Sequence, residues 1–265
     1  MGAWAWWKRT VDSWAENHAA DPKPWTLFKH AMRDYRQHVG LLMGIVLIVA
    51  IPVAVLSNFV VTPGSDTTLS AYVALAQLIL NLAVIYTVIQ LIKGKQPTIR
   101  EAYYRGSAAL VRLLLVSVML ILMLVFAVFG LFIIVTGAIT SGGGFTGGEL
   151  ALLTVLGSLL AIPSVILITR SFWAIYIVIE SDSWPVQAIR QSRAITKGRV
   201  VVILSRVAAL VLFLILLMLI PMGIFLTLQA VTGWMIWSMF LQILASVVVL
   251  PLANFYLYRY YQRLK

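Results

Sequence analysis

Six long apolar runs constrain this chain more than any other feature of its sequence. A helix needs roughly 20 apolar residues to cross the hydrocarbon core of a bilayer. The runs cover about residues 41–61, 69–92, 110–136, 150–172, 200–226 and 234–258. Over the whole chain 62% of residues are hydrophobic and 11% are charged, whereas a soluble domain carries about 25% charged residues. The sequence therefore predicts an all-α, polytopic membrane protein with six transmembrane helices.

The basic residues predict how these spans are threaded. If every run crosses the membrane, all 20 lysines and arginines fall on the same side. The three loops on the other side carry only Asp66 and Glu149 as charges. Because Lys-rich and Arg-rich loops stay in the cytoplasm, both termini are expected there. Orientation also accounts for the net charge of +11, so no nucleic-acid partner is expected.

Two domains are expected. Residues 1–39 form cytoplasmic amphipathic helices, and residues 40–265 form the six-span transmembrane domain. A tryptophan stripe in residues 1–20, at positions 4, 7 and 14, predicts a helix lying on the membrane surface, with a disordered tail as the alternative. A second helix is expected over residues 25–38, because its apolar residues keep helical spacing on one face.

Three segments of the chain share a pattern when they are aligned on Ala31, Ala102 and Ala188. They read WTLFKHAMRDYRQ, PTIREAYYRGSA and SWPVQAIRQSRAITKG. Each is predicted to form a basic amphipathic helix that precedes a pair of spans. The interpretation is a threefold repeat of interfacial helix plus transmembrane hairpin, since internal repeats are common in membrane proteins. The alternative is that any cytoplasmic linker between spans looks basic and amphipathic.

The third segment also carries a family resemblance. From Pro185 to Gly198 it reads P-x-x-A-I-x-x-S-R-x-I-T-K-G, and it follows a span that ends in Glu180. This pattern resembles the membrane domain found beside glycerophosphoryl diester phosphodiesterases and related six-span bacterial membrane proteins. The resemblance implies a multi-pass protein of the bacterial cytoplasmic membrane, and it implies no catalytic residue. The phosphodiesterase barrel itself has no counterpart in this chain.

Basic residues around the third segment are candidates for contact with anionic lipid headgroups, because each cation near an anionic leaflet contributes roughly 1 kcal/mol. The alternative is that they only anchor the bundle. Arg170 is either the end of its span, with its guanidinium reaching the interface, or an inward-facing group that contacts an anion. The candidates are Arg112, Arg170, Arg190, Arg193, Lys197, Arg199 and Arg206.

Residues that could carry catalysis or ion coupling are sparse. Gln77 and Asn81 share one face of the second span, where they either bridge helices or form a polar patch in a cavity. No metal site, catalytic residue or cofactor is expected, and the chain has no cysteine. The expected function is a non-enzymatic structural or accessory membrane protein that contacts anionic lipid and a protein partner or second copy. A transporter or permease for a lipid-like or amphiphilic solute is the alternative, and a lipid-headgroup enzyme is a weaker one.

Overall fold

The computed structural model describes residues 23–57, 67–140, 147–234 and 236–265, and every regular element in these ranges is a helix. The all-helical prediction is therefore confirmed. The predicted surface helix in residues 1–20 and the predicted end of the first span at residues 58–61 lie outside the described residues. In chain order the helices are α1 (Pro24–Gln37), α2 (Val39–Val55), α3 (Thr67–Ile92), α4 (Ile99–Ala108), α5 (Leu110–Thr140), α6 (Gly147–Ser171), α7 (Ala174–Ser181), α8 (Pro185–Ile195), α9 (Val200–Thr232) and α10 (Ile236–Leu264).

Within the described ranges, five stretches of helix are long and apolar enough to cross a membrane: α3, α5, α6 continued by α7, α9 and α10. A sixth is added if α1 and α2, which meet at a bend of 79°, are taken as one span. Alone, α2 has 17 residues and is about 26 Å long at 1.5 Å per residue, slightly less than a hydrocarbon core of about 30 Å. The part of the chain that the structure describes thus has five to six helices that fit a multi-pass membrane protein.

The buried core is concentrated at one end of the bundle, which we call the base. It comprises residues 80–91 of α3, Trp173, residues 251–264 of α10 and the buried faces of the short helices α1, α4, α7 and α8. In the most apolar stretch of α3, 56% is buried, against 11% in that of α5. The indole of Trp173 is fully buried, with its ring centroid 5.7 Å from that of Tyr260. The base therefore packs like the interior of a soluble protein.

Ion pairs tie several helix ends together at the base. Glu180, on α7, lies 3.2 Å from Lys93 after α3 and 3.6 Å from Lys265 after α10. Asp34 of α1 is buried and pairs with Arg259 of α10. Sequence spacing places Asp34 on the polar face of α1, so its burial differs from expectation. The reason is the arginine on α10, which offers Asp34 a cation.

The three short helices α1, α4 and α8 pack in a cyclic order. Helix α4 lies against α2 and α3, α8 lies against α5 and α6, and α1 lies against α9 and α10. Helices α4 and α8 thus each contact the two long helices that come before them in the chain. Helix α1 contacts the last two long helices, which closes the cycle. The alanines that align the three segments, Ala31, Ala102 and Ala188, are all fully buried. A threefold repeat would have these features, and it stays a prediction.

Two tyrosines fasten short helices to long ones through backbone carbonyls. Tyr35 of α1 donates to the carbonyl of Val247 at 3.3 Å. In a regular helix that oxygen would accept from residue 251, but Pro251 has no N–H, so Tyr35 supplies the missing donor. Tyr103 of α4 donates to the carbonyl of Ile45. Burial raises the pKa of Tyr103 to about 12, so its hydroxyl stays protonated to a higher pH than that of an exposed tyrosine.

Helices α5 and α6 form a hairpin that crosses at two glycines. A Cβ on Gly130 would lie 2.6 Å from the carbonyl oxygen of Gly157, and a Cβ on Gly157 would lie 2.5 Å from the side chain of Ile134. Both distances are far below van der Waals contact. Small residues allow two membrane helices to approach this closely, so the glycines set the packing of the hairpin.

Candidate functional site

The segment 181–199 turns back on the helix that precedes it. After α7 the chain reverses at Asp182, whose φ of 56° is in the left-handed region, and α8 then begins at Pro185. Arg112 of α5 holds this turn. It pairs with the carboxylate of Asp182 and donates from Nη1 to the backbone carbonyl of the same residue at 2.6 Å.

The C-terminal end of α8 contacts the junction between α6 and α7. The hydroxyl of Ser192 donates to the carbonyl of Arg170 at 2.7 Å, and that of Thr196 donates to the same oxygen at 3.3 Å. Arg193 donates from Nε to the hydroxyl of Ser171 at 3.4 Å. Because both ends are fixed in this way, α7 and α8 form an antiparallel helical hairpin beside α5. Helix α6 ends at Ser171, so Arg170 lies in its last turn, where the sequence analysis allowed the span to end.

A groove of about 500 Å³ lies between α5 and α8. Its apolar residues on α5 recur at helical spacing and therefore form one stripe of that helix. Arg190 and Arg193, three residues apart on α8, are neighbours on the helix surface. The groove thus combines an apolar wall with a cationic edge. It is lined by Met119, Leu122, Met123, Phe126, Val186, Ile189, Arg190 and Arg193.

Among the described residues, Arg170, Arg190 and Arg193 have no carboxylate partner. The ion pairs found among the described residues join Asp34, Glu101, Glu180 and Asp182 to cations other than these three arginines. The Nε of Arg170 is also buried, and no described group accepts a hydrogen bond from it. Cations that lack acidic neighbours produce a positive potential that attracts anions. The groove is therefore electrostatically suited to an anion.

The faces of α8 differ from the expectation for a surface helix. Its apolar face was expected to enter the acyl boundary of the membrane, but Ala188, Ile189 and Ser192 are buried against protein instead. The reason is the α7–α8 hairpin, which gives that face a protein surface and gives the Ser192 hydroxyl an acceptor. Trp184 and Val186 are exposed, so these two side chains are accessible to other molecules.

The structure brings together three of the predicted lipid contacts and separates the other four. Arg190 and Arg193 line the groove, and Arg170 lies beside Arg193 through the Ser171 and Ser192 hydrogen bonds. Arg112 lies at the other end of α8 in its pair with Asp182. The remaining three lie after α8: Lys197 and Arg199 in the turn before α9, and Arg206 on α9, where its carbonyl accepts from the Tyr256 hydroxyl at 3.2 Å.

The predicted polar patch lies elsewhere. Gln77 and Asn81 are half-buried on α3, and the amide of Asn81 donates to the backbone carbonyl of Gln77 at 3.1 Å. This hydrogen bond stays within one helix. Neither residue lines the groove between α5 and α8.

A headgroup enzyme would need carboxylate or histidine side chains grouped in one place, and the sequence offers His30, Glu101, Glu180 and Asp182. Glu101 pairs with Arg105 on α4 at 3.2 Å, while Glu180 and Asp182 face the cations already described. Within the ranges that the structure describes, no group of three or more His, Asp or Glu side chains could hold a metal ion.

The apolar wall of the groove was missed in the sequence analysis. Met119, Leu122, Met123 and Phe126 do have the spacing of a helical stripe. However, α5 is apolar on all sides, so the stripe does not differ from its surroundings. Only the packing of α8 against α5 distinguishes it.

Comparison of the chain with models of known protein families, with curated proteins and with solved structures finds no match. The resemblance to the membrane domain of glycerophosphoryl diester phosphodiesterases therefore stays a prediction from the residues 185–198.

Proposed function

We propose that this chain is a non-enzymatic accessory protein of the cytoplasmic membrane that binds an anionic phospholipid in the groove between α5 and α8. In this proposal both termini and all the basic helix ends face the cytoplasm, following the positive-inside rule. The lipid comes from the inner leaflet. Its phosphate lies at Arg190 and Arg193, and one acyl chain follows the α5 stripe away from the base.

One observation carries this proposal: two arginines without described acidic partners lie at the edge of an apolar groove. Arginine fits a phosphate well, because its planar guanidinium can donate two parallel hydrogen bonds. The stripe from Met119 to Phe126 rises about 10 Å along α5, which suits the part of an acyl chain nearest to a headgroup. A soluble anion would gain nothing from that wall.

The two arginines set the expected strength of binding. Each basic residue near an anionic surface contributes about 1 kcal/mol. Loss of both is therefore expected to cost about 2 kcal/mol, or roughly a 30-fold weaker affinity. The contribution should decrease at high salt, because ions screen exposed charges.

The proposal is tested by measuring lipid affinity with native mass spectrometry. Wild-type protein is titrated with phosphatidylglycerol and, separately, with phosphatidylcholine. The Arg190→Ala/Arg193→Ala variant is expected to lose most of its preference for phosphatidylglycerol. Lys95→Ala/Arg100→Ala is a charge-matched control, since both side chains are exposed and lie outside the groove.

A second variant tests the apolar wall without changing charge. Leu122 is exposed within the groove, so Leu122→Trp should fill it and weaken phosphatidylglycerol binding. Equal losses in the groove variant and the charge-matched control would contradict the proposal, because the effect would then come from net charge alone.

A further inference from the structure

A second groove lies on α1, far in the sequence from the helices that form the α5–α8 groove. It has a volume of about 520 Å³. Two aromatic side chains, Trp25 and Phe28, line it, and the ring of Phe28 packs against Phe213 of α9 at a centroid distance of 5.0 Å. Three cations follow one another along its edge. The residues that line it are Trp25, Phe28, Lys29, Met32, Arg33, Arg36 and Gln37.

The two grooves use the same positions of the aligned segments. With Ala31 placed on Ala188, Met32 corresponds to Ile189, Arg33 to Arg190 and Arg36 to Arg193. In each helix the first of these is apolar and the other two are arginines, and all of them line a groove. In the α4 segment the two arginine positions hold Tyr104 and Ser107.

The two helices are also held in equivalent ways. Four residues after the aligned alanine, Tyr35 of α1 donates to the Val247 carbonyl on α10, and Ser192 of α8 donates to the Arg170 carbonyl on α6. In both cases the acceptor is on the second long helix of the preceding pair. In both helices the two arginines lie on a different face from the residue that donates this hydrogen bond.

The cations of the α1 groove have no carboxylate partner among the described residues. Asp34 is on the same helix, but it is buried and pairs with Arg259. The ammonium of Lys29 lies 5.4 Å from the ring centroid of Trp25, which keeps the cation over an aromatic face. Lys29, Arg33 and Arg36 are all exposed. Among the described residues, no carboxylate therefore neutralises this edge, and its cations can attract an anion.

We infer that the α1 groove is a second binding site for an anionic phospholipid, related to the α5–α8 groove by the internal repeat. This inference rests on the proposed function for the chemistry of the ligand and adds a site to it. The bend of 79° between α1 and α2 turns α1 away from the direction of a membrane-crossing helix. Its cations then lie along the headgroup layer, where tryptophan also partitions.

The experiment counts the lipids retained by each variant. Protein is extracted from nanodiscs that contain phosphatidylglycerol as a minor component in phosphatidylcholine, and retained lipids are counted by native mass spectrometry. Wild-type protein should retain two phosphatidylglycerol molecules. The Arg33→Ala/Arg36→Ala variant should retain one, the Arg190→Ala/Arg193→Ala variant one, and the fourfold variant none.

Two further variants separate binding from folding. Arg33→Lys/Arg36→Lys keeps the charge and should keep the second lipid, and Lys95→Ala/Arg100→Ala should keep both.

If the alanine variant of α1 retains two lipids while that of α8 retains one, the inference is overturned and the proposed function stands. If neither alanine variant loses a lipid, the proposed function itself fails. Loss of a bound acidic protein from the α1 variant, with no loss of lipid, would assign the groove to a protein and overturn the lipid assignment.

Discussion

The base and the opposite half of the same bundle are built in different ways. At the base, aromatic side chains are enclosed, ion pairs join four helices, and hydroxyls from the short helices meet carbonyls of the long ones. In the other half, which comprises residues 121–135 of α5, 152–162 of α6 and 211–226 of α9, most large apolar side chains are exposed. Ile220, for example, is 70% exposed.

This difference shows where the fold obtains its specificity. Apolar side chains that face lipid cost no hydrophobic free energy, because the lipid tails are as apolar as leucine. Long helices can therefore enter the bilayer with most of their large apolar side chains exposed, although α5 and α6 pack closely against each other at two glycines. Apart from that hairpin, their relative positions are fixed at the end where polar groups are available. The base has those groups, and both candidate lipid grooves lie on short helices that belong to it.

The largest expected contrast is between Trp173→Ala in the base and Phe132→Ala in the other half. Trp173 is fully buried, and removal of a buried aromatic side chain costs about 3–5 kcal/mol. Phe132 is 61% exposed, so its loss is expected to stay within about 0.5 kcal/mol. The measurement is the free energy of unfolding in detergent micelles. Equal losses would show that the two halves do not differ in packing.

A smaller effect is expected at the glycine crossing of α5 and α6, a tight contact in the other half. Gly130→Ala would place its Cβ 2.6 Å from the carbonyl oxygen of Gly157, and overpacking of this kind costs about 1–3 kcal/mol. Gly223→Ala on α9 is the matched control, because its Cβ would meet nothing within 4 Å. The control should gain up to about 1 kcal/mol from the better helix propensity of alanine. Thermal unfolding of the two variants tests this, and a stable Gly130→Ala protein would refute the crossing.

Much of the helical layout could be predicted from the sequence. Apolar runs of about 20 residues have few alternatives to membrane-crossing helices, and proline or glycine marks several of their limits. The alignment on Ala31, Ala102 and Ala188 also selects three positions that the structure buries completely. These features depend on local composition and spacing, which a sequence displays directly.

The site could be predicted only in part. Arg190 and Arg193 were expected to contact lipid because they are basic and amphipathically placed. Their apolar wall on α5, and the pairing of Asp34 with Arg259 across 225 positions, depend on which helices become neighbours. No local pattern specifies that choice. By contrast, the break between α6 and α7 lies at residues 172–173, close to the expected end of the fourth span at residue 172.

We propose that the cation-rich base faces the cytoplasm and that the other half of the bundle faces away from it. The chain has no cysteine, so single-cysteine variants can be labelled without background. Lys197→Cys tests the turn after α8, and Gly143→Cys tests the glycine-rich loop. With a membrane-impermeant maleimide on intact cells, Gly143→Cys should react at once, and Lys197→Cys should react only after permeabilisation. Reaction of Lys197→Cys from outside, or of both variants from the same side, would contradict the account.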